Sequence, residues 1–354
     1  MARVLPLRTQ ARLPGGAALL LLLAACGGDA TAPDDDGPER HLYVDAAAGS
    51  DARDGRTPAD AFRTVGRALA EIPDAPGARW TVHLRPGRYL ETVRLERFLM
   101  PTAIGLFQFQ TGAPPVSLTL LGDTTAPGAV VLAPPDSSRA CLVAASVVLF
   151  VRAVACEAPA YGGFLAAGSS LVLDDVLVQA RDSTDIGVYL DRTTAYAGGR
   201  LTVRGRMGMG LAVRNYSLFR SGSLRNRLRL TAVFEGGVAT GIFLRDNGGV
   251  TTAFGIDTFR FDGTRTAILA QGASHAFFTN TVSVEGRNLA TAFHAVSGSG
   301  VNAHEVTMRG VSDALVRCRN QSYVVLETGT FEGIARVADA DASCQVRAGA
   351  LTGG

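Results

Sequence analysis

The densest set of residues able to do chemistry lies between positions 174 and 204. Asp174 and Asp175 are followed by Asp182, Asp185 and Asp191, with Arg181, Arg192, Arg200 and Arg204 interleaved. Carboxylates brought together by a fold can share a calcium ion through their oxygens, or divide the work of a general acid and a general base. Guanidinium groups beside them add a fork suited to the carboxylate of an anionic sugar. Asp174, Asp175, Asp182 and Arg204 are therefore the candidate catalytic residues, and calcium is the candidate cofactor. The plainer account places the same residues in turns and on solvated strand faces. Their spacing alone does not decide between the two.

What must position them is a repeat. Leu201-Thr202-Val203-Arg204-Gly205 has counterparts in Phe259-Arg260-Phe261-Asp262-Gly263, Val282-Ser283-Val284-Glu285-Gly286 and Val306-Thr307-Met308-Arg309-Gly310. Thr330-Phe331-Glu332-Gly333 closes the series, and Val233-Phe234-Glu235-Gly236 fits less cleanly. The glycines are separated by 31, 27, 23, 24 and 23 residues. A second motif follows each glycine, as in Gly187-Val188-Tyr189-Leu190, Gly210-Leu211-Ala212-Val213, Gly241-Ile242-Phe243-Leu244, Ala267-Ile268-Leu269, Ala292-Phe293-His294-Ala295 and Ala314-Leu315-Val316. Each repeat thus holds at least two short strands of period two, separated by turn residues. Such strands cannot bury a face alone. Coiling the chain so that each strand stacks in parallel on its counterpart makes a continuous core and pairs every backbone group. Helical repeats of similar length need amphipathic runs of good helix formers, and these segments are rich in Val, Phe, Thr and Gly. Consecutive coils would then set like-placed carboxylates about 4.8 Å apart.

The other reactive types are sparse. His275, His294 and His304 share no offset, and His304-Glu305 lacks the second histidine of a zinc-protease helix. Tyr196, Tyr216, Phe219, Phe277 and Phe278 could stack on sugar rings, although core packing is the commoner use of phenylalanine in a solenoid. There is no Gly-x-Ser-x-Gly elbow and no P-loop. Besides Cys26, four cysteines fall in two local pairs, Cys141 with Cys156 and Cys318 with Cys344. Three pairings are open and these two are favoured, since each separation is no more than about one repeat and would let the partners lie on adjacent coils. Their spacing fits no zinc motif.

The first residues have the form of an export signal: Arg3, Arg8 and Arg12, then an apolar run from Ala17 to Ala25, then Cys26. The run is about half of the roughly 20 residues that span a bilayer. Leu23-Ala24-Ala25-Cys26 closely resembles the bacterial lipobox, which implies cleavage after residue 25 and a lipid on Cys26. Residues 26–40 read as a tether, in which Asp34-Asp35-Asp36 is a solvated run without the fixed geometry a metal needs. The domain itself is expected over 41–354. All 34 basic residues are arginine and the net charge of +2 includes the three signal arginines, so nothing points to nucleic acid. Apolar residues at 47% exclude a largely disordered chain.

After the strand His41-Leu42-Tyr43-Val44-Asp45 and a polar turn, Thr57 and Pro58 read as the start of a helix. Its apolar stripe is Phe62, Val65, Leu69 and Ile72, and Pro73 ends it. Such a helix would cover the first coil. Tyr43-Val44-Asp45, Ala61-Phe62-Arg63-Thr64-Val65 and Leu84-Arg85-Pro86-Gly87-Arg88-Tyr89-Leu90-Glu91-Thr92-Val93 resemble the opening of right-handed parallel β-helix proteins of the pectin-lyase-like superfamily. Residues 42 to 133 are also similar to the start of pectin methylesterases. The esterase motifs that carry two aspartates, a glutamine and an arginine are absent. Gly255-Ile256-Asp257-Thr258-Phe259 is the nearest echo, and the Asp-His signature of pectate lyases is missing too. The resemblance therefore implies fold rather than reaction.

The expected architecture is an all-β, single-stranded right-handed parallel β-helix of about ten coils, with Val82 and Leu84 pointing inward and an N-terminal amphipathic capping helix. The expected function is an exported protein held in the bacterial cell envelope, at the outer membrane or cell surface, by a lipid on Cys26. Its lateral face would bind an extended polysaccharide. A polysaccharide lyase or carbohydrate esterase with a divergent site is the alternative, and a structural or adhesive surface protein is the second.

Overall fold

The structure, a computed structural model, describes residues 39–75, 77–98, 117–221, 229–252 and 257–352. Cys26, the signal segment, the tether up to residue 38, Gly255 and Ile256 lie outside the described residues. Every strand pairing in the solenoid is parallel, and the strands stack in three ladders around one core. The first ladder aligns Val188, Leu211, Ile242, Ile268, Phe293 and Val316. The second aligns Leu171, Ala195, Phe219, Val250, Ala276, Val301 and Val324. The third aligns Leu201, Ala232, Phe259, Val284 and Val306. All of these are 0–1% exposed, so each coil contributes one layer of side chains from three sides. The three inward columns are apolar, and their burial is the driving term of the fold.

The regular part comprises about eight turns, fewer than the ten expected. It runs from the strand Ala140–Ala145 to the strand Tyr323–Ile334. The difference lies at the ends. Before Ala140 the coils carry longer connections, and after Ile334 a last coil is made of the short, exposed strand Ala338–Ala340 and the strand Gln345–Thr352, which stacks on Tyr323–Ile334.

Among the described residues the one α-helix is Val65–Ala70, and it starts later than Thr57 and Pro58 suggest. Thr57 instead closes a turn, its Oγ1 accepting from the Asp60 amide. Phe62 is extended and bridges Val44 in parallel, so the stripe residue that opens the pattern belongs to the core before the helix begins. The N-cap is Thr64, whose Oγ1 accepts from the Arg67 amide at 3.1 Å. The Glu91 carboxylate takes the Val65 and Gly66 amides at 2.7 and 2.8 Å, satisfying two more of the donors that a helix start leaves unpaired. The helix buries Val65, Ala68 and Leu69 against the strands Glu39–Val44, Arg79–Leu84 and Val93–Leu95. Val82 and Leu84 point inward as expected, and so do Tyr89, Val93 and Leu95.

The corners have their own chemistry. Gly205, Gly236, Gly263, Gly310 and Gly333 all have positive φ, where a β-carbon would strain the backbone. Gly286 is different. It lies opposite Phe261 and Met308 on the inward side, and Asn288 at φ 54° makes the corner of that coil. Val284, not Val282, stands over Phe259. A shift of two residues keeps every side chain on its own face, so the alternation in sequence is blind to it.

A file of buried hydroxyls runs through the corner between the first and second ladders. Ser169 accepts from Val147 N, Thr193 from Ser169 N and Ser217 from Thr193 N, at 3.1–3.3 Å. After a break at Gly248, Ser274, Ser299 and Ser322 continue it, each taking the amide of the coil before. Where the chain turns, the amide loses its strand partner, and the hydroxyl supplies one at about 1 kcal/mol each.

Both favoured cysteine pairs stand at disulfide distance, with Cα separations of 6.0 Å for Cys141–Cys156 and 5.9 Å for Cys318–Cys344. The first crosses the interior of a single coil, from the strand Ala140–Ala145 to the strand Ala155–Ala158, rather than joining adjacent coils. The second ties the last coil to the one before it. A loop of 15 residues closed by a bond restricts the unfolded chain by about 3 kcal/mol. The variant carrying both Cys141→Ala and Cys156→Ala should therefore unfold at lower urea by that amount. Equal midpoints for the parent and the variant would contradict it.

Candidate functional site

On the third ladder the inward residues alternate with three outward columns, the first of which contains Arg200, Thr231, Thr258, Ser283, Glu305 and Thr328, and two more follow it. One contains Thr202, Val233, Arg260, Glu285, Thr307 and Thr330; the other contains Arg204, Glu235, Asp262, Arg287, Arg309 and Glu332. Val233 is covered, and the charged members reach solvent. Ion pairs run along the columns from coil to coil. Arg260 holds Glu285 at 3.1 Å, Arg309 holds Glu332 at 3.4 Å, and Arg287 holds Asp262. Exposed pairs of this kind add little to stability, so their main effect is to order a polar surface.

Three hollows lie along this one face. The first, about 290 Å³, is lined by Asp175, Leu177, Arg200, Thr202, Arg204 and Glu235. The second, about 390 Å³, is lined by Arg260, Glu285, Arg287, Thr307 and Arg309. The third, about 270 Å³, shares Thr307 and adds His304, Glu305, Thr328 and Thr330. The three lie in a row along the solenoid axis and make a shallow lateral groove, its first hollow the more apolar and the other two polar. A further hollow of about 270 Å³ lies on the first ladder, between Arg94, Arg139, Tyr161, Leu165 and Tyr189.

The residues expected from sequence are brought together only in part. Asp174 and Asp175 meet at the corner between the second and third ladders. A β-carbon at Gly199 would stand 2.6 Å from a carboxylate oxygen of each. They are neighbours in one coil, with Asp175 at φ 53° where the register shifts, rather than like-placed residues of successive coils. Asp174 accepts from Arg152 Nε at 3.0 Å, and Asp175 accepts the Arg200 amide at 3.0 Å. Burial pushes the Asp174 carboxyl above the usual aspartate value, Arg152 pulls it back, and the Asp175 charge raises it again.

Asp182 does not join them. It is exposed in the corner that follows the strand Ser170–Ala180. Arg181 is turned away to Asp136 and the Pro134 carbonyl, and Asp191 is held by Tyr189, Arg192 and Asn215. Calcium takes six to eight oxygens, and among the described residues no group of three or more acidic, histidine or cysteine side chains is placed to hold a metal.

Arg204 faces the groove, its guanidinium steered by two bonds to Gln179 Oε1 at 3.0 and 2.7 Å. Arg200 Nε donates to Thr202 Oγ1 at 3.2 Å. Among the described residues neither arginine enters an ion pair, so two guanidiniums keep donors for a ligand in the first hollow. Arg200 was among the arginines expected beside the acidic cluster, whereas Glu235 appeared in sequence only as a member of the repeat. Their signal is the register itself, because Arg200 opens the strand segment that Arg204 closes.

His304 lines the third hollow, with Glu327 Oε2 2.6 Å from its Nδ1. Of the aromatic residues, Phe219 and Phe278 are buried in the core, Tyr196 is covered on the outward side of its strand beside Arg220, and Tyr216 and Phe277 reach solvent at 79% and 43%. Asp257, in the echo of the esterase motif, is fully buried and accepts the Leu230 amide at 2.8 Å.

Ladders and groove define a parallel β-helix protein with a charged lateral face. No protein family, curated protein or solved structure matches the chain.

Proposed function

We propose that this is an exported, lipid-anchored β-helix protein that binds an extended polysaccharide along the third ladder. The observation that carries the reading is the alignment of three hollows on one face, with Arg200 and Arg204 presenting donors at one end. A flexible chain molecule gains from such a surface by adding one contact per coil, and an acidic sugar would meet the arginines with charge-assisted bonds. The similarity of residues 42–133 to pectin-lyase-like proteins supports a carbohydrate ligand. The lipobox at 23–26 supports a lipid on Cys26 and a place in the cell envelope.

A lyase or esterase remains the second reading, favoured by one observation. Asp174 and Asp175 stand side by side at one corner, and burial raises the Asp174 carboxyl, so the pair offers the two carboxyls that acid and base chemistry would use.

The soluble chain from Gly27 onward, incubated with acidic and neutral polysaccharides, tests both. Retention on a glycan without released product supports binding. Unsaturated or de-esterified products that vanish on Asp175→Ala support catalysis. Neither retention nor product would leave a structural or adhesive role.

A further inference from the structure

The first two strands of the second ladder carry a pair of imidazoles that the groove does not use. Glu39–Val44 and Arg79–Leu84 run parallel, with His41 opposite Thr81 and Tyr43 opposite His83. The two histidines are therefore diagonal neighbours on the outward face. His41 Nδ1 lies 3.0 Å from His83 Nε2. The His83 ring is stacked on Tyr43 with centroids 4.7 Å apart and planes 13° apart, which fixes its orientation. His41 is exposed and can turn about its side-chain bonds. His41 Nδ1 and His83 Nε2 face each other at hydrogen-bond distance, and a metal ion held between them would replace that bond. Glu39, bonded to Thr81 Oγ1 at 3.0 Å, adds a negative charge beside the pair.

We propose that His41 and His83 bind a divalent transition-metal ion, Cu²⁺ foremost, through His41 Nδ1 and His83 Nε2, with water completing the coordination. Metal–nitrogen bonds of about 2.0 Å across this separation give an N–metal–N angle of about 97°. That is close to the cis angle of a tetragonal site and short of the tetrahedral angle of about 109°, so the pair suits Cu²⁺ or Ni²⁺ better than Zn²⁺. The stability order of divalent ions then puts Cu²⁺ first. The ligands come from two strands held in register by the ladder, so little ordering is needed beyond a turn of the His41 ring. Two protein ligands leave positions for water, and the affinity is accordingly modest.

The test is titration of the full-length chain with Cu²⁺ at a pH where histidine is neutral, with glycine as a weak competitor, followed by electron paramagnetic resonance. The expected result is one retained ion per chain with a tetragonal spectrum coupled to two nitrogens. His41→Ala and His83→Gln should each weaken retention at least about tenfold, while His294→Ala leaves it unchanged. Melting curves of the exposed His41→Ala variant separate loss of a ligand from loss of fold. Equal retention in all three variants, no ion held against glycine, or a spectrum without imidazole coupling would overturn the proposal.

Discussion

Truncating Phe234 to alanine will lower folding stability by about 3–5 kcal/mol. Phe234 is fully buried and stacks on Phe261 of the next coil, with centroids 5.2 Å apart and planes 8° apart. Each ring also fills the space beneath a missing side chain. A β-carbon at Gly210 would meet Phe234 Cδ1 at 2.5 Å, and one at Gly241 would meet Phe261 Cδ1 at the same distance. Ring and glycine are thus one packing device, repeated in consecutive coils. Removing the ring leaves a cavity that stacked backbones on both sides cannot close. Urea unfolding measures the cost directly. A loss below about 1 kcal/mol would mean that the coils are not packed as described.

Replacing Arg200 and Arg204 together with alanine will weaken retention on acidic polysaccharide by at least about tenfold, leaving the melting temperature unchanged. A hydrogen bond to a charged group contributes about 1.5–3 kcal/mol, and 1.4 kcal/mol is already a factor of ten. Both side chains are exposed, and among the described residues neither closes an ion pair whose loss would destabilise the coil. The remaining retention should fall with salt, as screening of exposed charges requires. Arg139→Ala, in the hollow on the first ladder, is the matched control and should have no effect. If Arg139→Ala abolishes retention and the Arg200 and Arg204 changes do not, the ligand lies on the other face.

The inside and outside of each strand were legible from alternation, because Leu201, Val203, Phe259 and Phe261 can only be core once Arg204 and Asp262 face water. The small residues opening the second motif were legible for a similar reason. Stacked backbones come so close there that a β-carbon at Gly187 would stand 2.5 Å from the Gly210 carbonyl oxygen. Register was not legible at Gly286, where a two-residue slip changes no face. The hydroxyl file from Ser169 to Ser322 was hidden because serine and threonine are ordinary in turns, and only stacking shows that each takes an amide from the coil before. The convergence of Asp174 and Asp175 depends on a left-handed residue at 175, which no pattern of apolar residues encodes. The helix began at Val65 rather than at Pro58 because Phe62 gains more by joining Val44 in the core than by opening a helical stripe.

The central claim is that the third ladder binds an extended glycan, and the most direct measurement is affinity against chain length for oligosaccharides of whichever polysaccharide is retained. From Leu177 to Thr330 the groove crosses six coil steps, about 29 Å at the spacing of stacked strands. Affinity should rise with each added sugar until the ligand covers that span, and then level off. Affinity that is already complete for a single sugar, or that is indifferent to length, would contradict a groove along the solenoid and point instead to one closed pocket.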